Sequence, residues 1–305
     1  MSRTPRDYHD YKHEIRIVDP SLSADGKLLL FSVSFEKRVH RLGQLNLETN
    51  ELALFFDLDI NRSWRAPVFS PDGKSIVASA TCTPKTGDCP KDELGTHLVL
   101  IDVETHKIKT LTKGLFSYYG QSFSADGKNL TYAVSPLNRE LKRNGFPTVA
   151  RLNIESGVEE ILFPTSEVPV QFQIPHQATE IGPDTYIFSA TNLIKGNELK
   201  TYLKDLVNKF EAKKITDQYA YQLRAGKRIQ PFPQNIDYRM RFLIASDGGN
   251  RMVFTDISRD LPFNEDGKYN WELFLLEGDT VKQLTNHQSL IHDPAISRDG
   301  SRVAT

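Results

Sequence analysis

Short apolar segments alternate with polar turns along the chain, and one version of this pattern returns several times. The stretch from Ala66 to Ala78 is predicted to form two strands joined by a tight turn at Pro71-Asp72-Gly73. Asp and Gly suit such turns because they adopt backbone conformations that most residues avoid. Related segments recur at intervals of roughly 50 residues, a length typical of repeat architectures. The turn aspartates of these segments are Asp25, Asp72, Asp126, Asp184, Asp247 and Asp299.

Each complete repeat also contains a second hairpin downstream of the first. One example is Gln44–Leu47 followed by Glu51–Phe55, and another is His97–Ile101 followed by Lys107–Leu111. Four antiparallel strands recurring at this interval are typical of a β-propeller blade. The pattern therefore predicts an all-β, six-bladed propeller in a single domain over residues 1–305. The expected blades are about 15–56, 64–112, 118–163, 174–232, 240–285 and 292–305, and the last is incomplete.

One insertion in the fourth blade differs from the rest of the chain. Between Ala190 and Asp217, the apolar residues Leu199, Leu203 and Phe210 follow helical spacing. This spacing predicts an amphipathic helix. Its apolar face would either pack on the blade or contact a partner or a membrane surface.

The repeat resembles a known family. The sequence Ser-(Pro/Ala)-Asp-Gly-Lys before an apolar strand, with later hairpins ending at Leu111-Thr112 and Leu284-Thr285, resembles the TolB-like (WD-like) propeller repeat. The resemblance implies six blades and favours the bacterial cell envelope, in the periplasm if a leader is removed, with the cytoplasm as the alternative. Peripheral association with the envelope is also consistent with it. The N-terminal α/β domain that TolB carries is not recognisable, and the sixth unit stops at Thr305, after its first hairpin. Tyr11–Val18 could supply one outer strand of that unit, and one more strand would still be missing.

The charge balance narrows the range of partners. Lys and Arg number 38 and Asp and Glu number 39, giving a net charge of -1. This balance gives no overall attraction to nucleic acid, so no nucleic-acid partner is expected. No apolar run approaches the length of a membrane-spanning helix. The first residues also lack the apolar segment of a secretory signal.

Two cysteines, Cys82 and Cys89, lie close together in a segment rich in turn-forming residues. They are expected either to form a disulfide, as in an oxidising compartment, or to remain two loop thiols. A zinc site is less favoured because no histidine lies beside them at ligand spacing.

Catalytic signatures are not found in the sequence. Gly120-Gln-Ser122-Phe-Ser124 lacks the last glycine of a nucleophile elbow and lies in a predicted strand. No phosphate-binding glycine loop and no His-Glu-x-x-His motif occurs either. We therefore expect no cofactor, and a binding function rather than an enzymatic one.

The longest loops are all predicted on the face opposite the Asp-Gly turns, and we call these two surfaces the long-loop face and the turn face. Binding residues tend to lie on such loops. Aromatic and charged residues at the inter-blade connections would ring the mouth of the channel there, or simply pack loop against loop. They are Trp64, Arg65, Tyr118, Tyr119, His176, Tyr238, Arg239, His292 and Asp293. Of these, His176, His292 and Asp293 could approach a metal across the ring, although no local motif supports one.

The sequence thus favours a non-enzymatic propeller that binds a protein or peptide through its long-loop face. Two alternatives are the propeller domain of a larger, prolyl-oligopeptidase-like hydrolase and a metal-dependent enzyme acting at the channel mouth.

Overall fold

The computed structural model describes most of the repeat-bearing chain. The described residues are 16–36, 39–55, 58, 62–82, 95–114, 116–138, 143–144, 148–162, 167–169, 178–190, 193–195, 219–224, 230–231, 240–258, 262, 270–286 and 293–305. Among them every regular element is a β-strand, apart from one 3-10 turn at Asp247–Gly249. The helix predicted around Leu199 to Phe210 lies outside the described residues.

The first unit is an antiparallel sheet in which sequence neighbours pair in the order β1-β2-β3-β4. Its strands are β1 (Arg16–Leu22), β2 (Leu28–Glu36), β3 (Val39–Asn46) and β4 (Leu52–Leu54). The Asp-Gly turn joins β1 to β2, and the second hairpin joins β3 to β4. This is the arrangement that the repeat predicts for one blade.

The second and third units repeat this arrangement and share one sheet. The second contains β5 (Arg62–Phe69), β6 (Ser75–Cys82), β7 (Thr96–Asp102) and β8 (Ile108–Thr110). The third contains β9 (Phe116–Phe123), β10 (Asn129–Asn138), β11 (Arg143–Asn144), β12 (Thr148–Asn153) and β13 (Glu159–Ile161). The sheet is continuous because β7 and β9 share one parallel pair, Thr96 with Ser117.

The remaining strands continue the series. A two-stranded pair is formed by β14 (Glu167–Pro169) and β17 (Leu193–Lys195). The fourth unit contains β15 (Ala178–Gly182), β16 (Thr185–Ala190), β18 (Tyr219–Arg224) and β19 (Gln230–Pro231). The fifth contains β20 (Arg241–Ala245), β21 (Arg251–Ile257), β22 (Trp271–Glu277) and β23 (Thr280–Gln283), and the last hairpin is β24 (Ala295–Ile296) with β25 (Val303–Ala304).

The first strand of each unit lies innermost, and these strands follow one another around a closed circuit. In turn, β1 contacts β5, β5 contacts β9, β9 contacts β15, β15 contacts β20, β20 contacts β24, and β24 contacts β1. The chain therefore curls around a central axis, with the innermost strands facing it and the outer strands at the periphery.

Apolar side chains fill the seams between successive units. Trp64 and Ile76 of the second unit pack with Leu30 and Leu42 of the first. Other clusters join the second unit to the third, the fourth to the fifth, and the fifth to the last hairpin. Both faces of a sheet are apolar because each is covered by a neighbour, which is how stacked repeats bury a continuous core.

The Asp-Gly turns are held by one repeated network of hydrogen bonds. In the first turn, the Ser23 hydroxyl donates to Asp25 Oδ1 at 2.7 Å, and the Lys27 N–H donates to the same oxygen at 3.1 Å. The Leu28 N–H donates to Ser23 Oγ at 2.9 Å. Gly26 has a φ of 69°, which a side chain would disfavour. The same bonds recur in the turns that begin at Ser70, Ser124 and Ser297, so these aspartates build the turns.

The turn of the fifth unit departs from this pattern. The Arg251 N–H donates to Ser246 Oγ at 3.2 Å, and the Gly249 N–H donates to the Ser246 carbonyl. Gly248 therefore occupies the place of the turn aspartate. The sequence-based assignment of Asp247 as a turn aspartate was wrong by one position. In Ser246-Asp247-Gly248-Gly249 the Asp-Gly pair lies one residue nearer the turn serine than in the other repeats, and the pair alone does not reveal this shift. Its carboxylate is free to bind elsewhere.

The turn network predicts acid sensitivity. The Ser70 hydroxyl, and then the backbone N–H of Lys74, hold the pKa of Asp72 below its usual value of 3.8. The corresponding bonds lower the pKa of Asp25 and Asp126, and they bring that of Asp299 to about 2. A lowered folded-state pKa stabilises the fold above the unfolded value and loses that contribution as the pH falls. We expect the urea midpoint to fall between pH 4 and pH 2.

A matched variant isolates this effect. Ser70→Ala removes the largest cause of the Asp72 shift and costs about 1–2 kcal/mol at neutral pH through the lost hydrogen bonds. The difference in urea midpoint between the wild type and Ser70→Ala should therefore narrow at pH 2. A difference that stays constant from pH 7 to pH 2 would show that the Asp72 carboxylate contributes nothing to acid sensitivity.

Cys82 ends β6 and is disulfide-bonded. The other cysteine of the sequence, Cys89, lies outside the described residues. The predicted Cys82–Cys89 pairing therefore stays a prediction.

Candidate binding site

The innermost strands enclose a central cavity of about 130 Å³. Every one of these strands contributes to its wall. Representative lining residues are Ser21, Val68, Ser122, Thr179, Ile244 and Ala295. A concave site to which all repeats contribute is a natural place for a ligand.

A backbone bulge shapes the wall in most units. The residue four positions before the turn serine has a positive φ, and the pairing register shifts around it in four of the units. A bulge leaves one residue unpaired and redirects its side chain. The residues with a positive φ at this place are Asp19, Ala66, Gly120, Phe242 and Asp293.

Proline follows the positive-φ residue in three of the units, at Pro20, Pro67 and Pro294, and all three line the cavity. Proline has no N–H, so it removes a donor from the strand edge that faces the axis. These positions therefore present carbonyl acceptors without the matching donor, and an innermost edge of this kind is protected against pairing with another strand.

An ion pair joins the first two units on the side of the cavity away from the Asp-Gly turns. Arg65 Nε donates to Asp19 Oδ2 at 2.9 Å, and Arg65 Nη2 donates to Asp19 Oδ1 at 3.0 Å. Asp19 Oδ2 also accepts the Ala66 N–H at 3.2 Å. The Arg65 side chain is half exposed while the Asp19 carboxylate is largely buried. This two-point geometry fixes the orientation of the guanidinium beside Asp19, which lines the cavity.

His40 lies beside this pair. Its backbone N–H donates to Ser63 Oγ at 3.0 Å, and its Nδ1 lies 3.2 Å from the same oxygen. Burial, and then the charge of Arg65, lower the pKa of His40. The ring is therefore neutral at neutral pH, and it acts as a hydrogen-bonding group.

Gln121 is a site residue that the sequence did not reveal. It is buried, its Oε1 accepts a hydrogen bond from Ser79 at 3.0 Å, and its Nε2 donates to the Ala66 carbonyl. The only signal in the sequence is that glutamine stands where other units have proline. Gln121 lines the cavity and joins the second unit to the third.

A second arginine lies at the opposite end of the cavity. Arg298 Nε and Nη2 donate to the two carboxylate oxygens of Asp247 at 3.0 and 2.8 Å. Arg298 Nη2 also donates to the carbonyl of Ser124 at 3.2 Å. No motif in the sequence marks Arg298 or Asp247 as a site residue.

Two of the aromatic residues expected at the rim are buried instead. Trp64 has no exposed area and lies in the core between the first two units. Tyr118 is 3% exposed, and its hydroxyl donates to the Lys113 carbonyl at 3.1 Å. Burial raises the pKa of Tyr118 to about 12. Both side chains therefore stabilise seams and do not present a surface to a ligand.

The other predicted site residues divide into two groups. Arg65 is exposed beside Asp19, Asp293 lines the cavity in the last hairpin, and Tyr119 is partly buried on β9. The remaining four lie outside the described residues, and they are His176, Tyr238, Arg239 and His292.

Within the described residues, no group of three or more His, Cys, Asp or Glu side chains is placed to hold a metal ion. A helix of the length and apolarity needed to span a bilayer does not occur in the described part of the chain.

Consecutive antiparallel sheets whose innermost strands circle a central cavity define the protein as a β-propeller. Comparison with solved structures shows a TolB-like propeller. TolB from Acinetobacter baumannii matches with a TM-score of 0.57 at 16% identity, and the match covers 92% of this chain and 57% of that one. Putative TolB from Agrobacterium tumefaciens matches with a TM-score of 0.59 at 17% identity, covering 94% and 87%.

Enzymes share the same architecture. Oligogalacturonate lyase from Vibrio parahaemolyticus matches with a TM-score of 0.50 at 15% identity, covering 95% of this chain and 87% of that one. Identities this low establish the fold and nothing further. No protein-family model matches the chain. No curated protein matches it by sequence.

Proposed function

We propose that this protein is a non-enzymatic scaffold that binds a protein or peptide at its long-loop face, over the central cavity. The observation that carries the proposal is the cavity itself, which draws on every innermost strand and has the Asp19–Arg65 pair at its mouth. This pair holds a guanidinium in a defined orientation before any partner arrives. A preoriented charge lowers the entropic cost of binding.

We further propose that the chain forms six blades with the boundaries expected from the sequence. The closed circuit of contacts, in which β24 of the last hairpin meets β1 of the first unit, supports this number. Hydrogen bonds at the same seam also support it, since Arg302 Nη1 donates to the Gly26 carbonyl at 3.2 Å.

Exposed apolar side chains near the mouth favour a protein partner. Ile17, at the start of β1, is 64% exposed, and Phe116, at the start of β9, is 39% exposed. Both strands begin at the long-loop face and run toward the turns. Aromatic side chains and arginine are enriched at the centres of protein interfaces, and apolar area is concentrated there.

The resemblance to TolB-like repeats favours a location in the cell envelope, in the periplasm if a leader is removed, with the cytoplasm as the alternative. The enzyme alternatives, a hydrolase's propeller domain and a metal-dependent enzyme, are supported by no specific contact among the described residues.

Affinity capture with matched variants tests the proposal. The wild-type protein is immobilised beside a mouth variant, Ile17→Glu/Arg65→Glu/Phe116→Glu, and an edge variant, Leu52→Glu/Ile108→Glu. Leu52 and Ile108 are 61% and 43% exposed on outer strands, away from the mouth. Proteins captured from extracts of the source cells are identified, purified and titrated against all three.

We expect a purified partner to bind the wild type and the edge variant equally and the mouth variant at least tenfold more weakly, a difference of about 1.4 kcal/mol. Equal binding to the mouth variant would move the interface elsewhere. If the wild type bound no protein and instead turned over a small substrate, the protein would be an enzyme and the scaffold function would be contradicted.

A further inference from the structure

Arg298 stands at a position where the other turns have small or compact residues. It precedes the turn aspartate of the last hairpin. The equivalent residues in the first three units are Ala24, Pro71 and Ala125. In the fifth unit the equivalent residue is Asp247, because Gly248 takes the aspartate's place there. Across these five units, the equivalent position thus carries three short side chains, one carboxylate and one long cation.

The contacts of Arg298 run across this end of the cavity. Its guanidinium binds both oxygens of Asp247 in the fifth unit and the Ser124 carbonyl in the third unit. The Asp247 N–H in turn donates to the Arg298 carbonyl at 2.8 Å. One side chain of the last hairpin thus bridges to two other units, one of which is its sequence neighbour and one of which is not.

The same two residues line two separate spaces. Asp247 and Arg298 belong to the wall of the central cavity, and they also line a depression of about 460 Å³ on the turn face. Ala24 and Pro71 line that depression as well. The bridging pair therefore stands between the cavity and the turn face. The Arg298 side chain is only 17% exposed, as expected for a group enclosed from both sides.

We propose that the Arg298–Asp247 pair is the floor of the central cavity and closes it toward the turn face. The cavity is then a dead-ended pocket that is entered from the long-loop face. The identity of the ligand as a protein or peptide rests on the proposed function. Such a partner can insert only one side chain or a chain end, because a continuous segment cannot pass through a closed pocket.

Arginine suits this role for a physical reason. Its planar fork offers several donors in fixed directions, so one group satisfies a carboxylate and a carbonyl at once. A lysine has a single nitrogen and cannot reproduce both contacts in the same geometry. The Asp247 carboxylate is about half exposed, so loss of Arg298 leaves no buried unpaired charge, and an Arg298→Ala variant is expected to fold.

Thiol labelling in the cavity tests the floor without any partner. Ser21 lines the cavity on β1, and Ser21→Cys places a thiol there with little change in shape. The rate of its reaction with a small uncharged methanethiosulfonate is measured in the oxidised protein, with the parent lacking Ser21→Cys as background. We expect Arg298→Ala to raise this rate at least fivefold by opening the turn face.

The control variant is Ser21→Cys/Arg151→Ala. Arg151 also bridges two units, binding Asp184 at 2.7 Å and Glu160 at 2.6 Å, but it does not line the cavity. Its removal should leave the rate unchanged. An equal rise in both variants would mean that loosened seams admit the reagent, and it would overturn the proposal. An unchanged rate in Arg298→Ala would also overturn it.

If the alanine variant does not fold, Arg298→Lys takes its place. The labelling rate is again expected to rise, and an unchanged rate would again overturn the proposal. The outcome is separable from the proposed function. Faster labelling of Arg298→Ala with no partner captured would support the closed floor and contradict the scaffold function. Unchanged labelling with a captured partner would contradict the closed floor alone.

Discussion

Replacing Trp64 by alanine should lower the free energy of unfolding by about 3–5 kcal/mol, the largest effect expected in this chain. The indole has no exposed area and packs with Leu30, Leu42 and Phe69 between the first two units. Its removal takes away apolar contact on both sides of the seam. The neighbouring side chains cannot move to fill the resulting cavity, because their backbones are held in hydrogen-bonded strands. The urea midpoint at pH 7 measures the change.

Phe116→Ala is the matched control for Trp64→Ala. Phe116 is also an aromatic residue of an innermost strand, but it is 39% exposed. Its removal should cost well under half as much. If Trp64→Ala lowered the free energy of unfolding by less than about 1 kcal/mol, the buried placement would be contradicted and the predicted position at the rim would be favoured.

Gly43→Ala should also destabilise the protein, by about 1–3 kcal/mol through overpacking. A Cβ at this position on β3 would lie 2.5 Å from the Phe31 ring and 2.9 Å from Leu54. Phe31 is 3% exposed and pairs directly across from Gly43, so the ring has no free space to move into. The glycine is required by the close approach of the ring and not by its backbone angles.

Gly182→Ala provides the comparison. A Cβ at Gly182 would meet no atom within 4 Å, and its φ is not in the positive range. Alanine there should be neutral or slightly stabilising, because it restricts the unfolded chain. Equal losses in both variants, measured by urea midpoint, would show that the Phe31 contact is not the cause.

The location of Arg298 bears on how the ring is completed. The last hairpin contacts the first unit through Arg302 and the fifth through Arg251, whose Nη1 donates to the Gly300 carbonyl at 3.2 Å. Arg298 adds a contact with the third unit across the axis. Side-chain bridges of this kind fasten a short hairpin whose own strands bury little area.

The repeat could be recognised from the sequence because turn chemistry is local. Ser23, Asp25 and Gly26 lie within four positions, and their hydrogen bonds need nothing beyond that segment. The strands between such turns follow from apolar runs of suitable length. The all-β class and the propeller fold were therefore predictable, and the likeness to solved TolB structures confirms that fold.

Burial at the strand starts was not predictable. Trp64 and Arg65 are adjacent in the sequence, yet one side chain is fully buried and the other is half exposed. A strand sends successive side chains to opposite faces, and which face is covered depends on the neighbouring unit. Tyr118 was misassigned to the rim for the same reason.

The floor of the cavity was decided by tertiary structure alone. Arg298 lies 51 residues from Asp247 and 174 residues from Ser124 along the chain. Residues so far apart in the sequence form no recognisable local motif. Asp247 was also taken for a turn aspartate, because the turn at Gly248 is shifted by one residue. The sequence by itself determined the repeating unit, since that unit is stabilised within itself. Closure around the axis decided which side chains meet there, because only closure brings distant turns together.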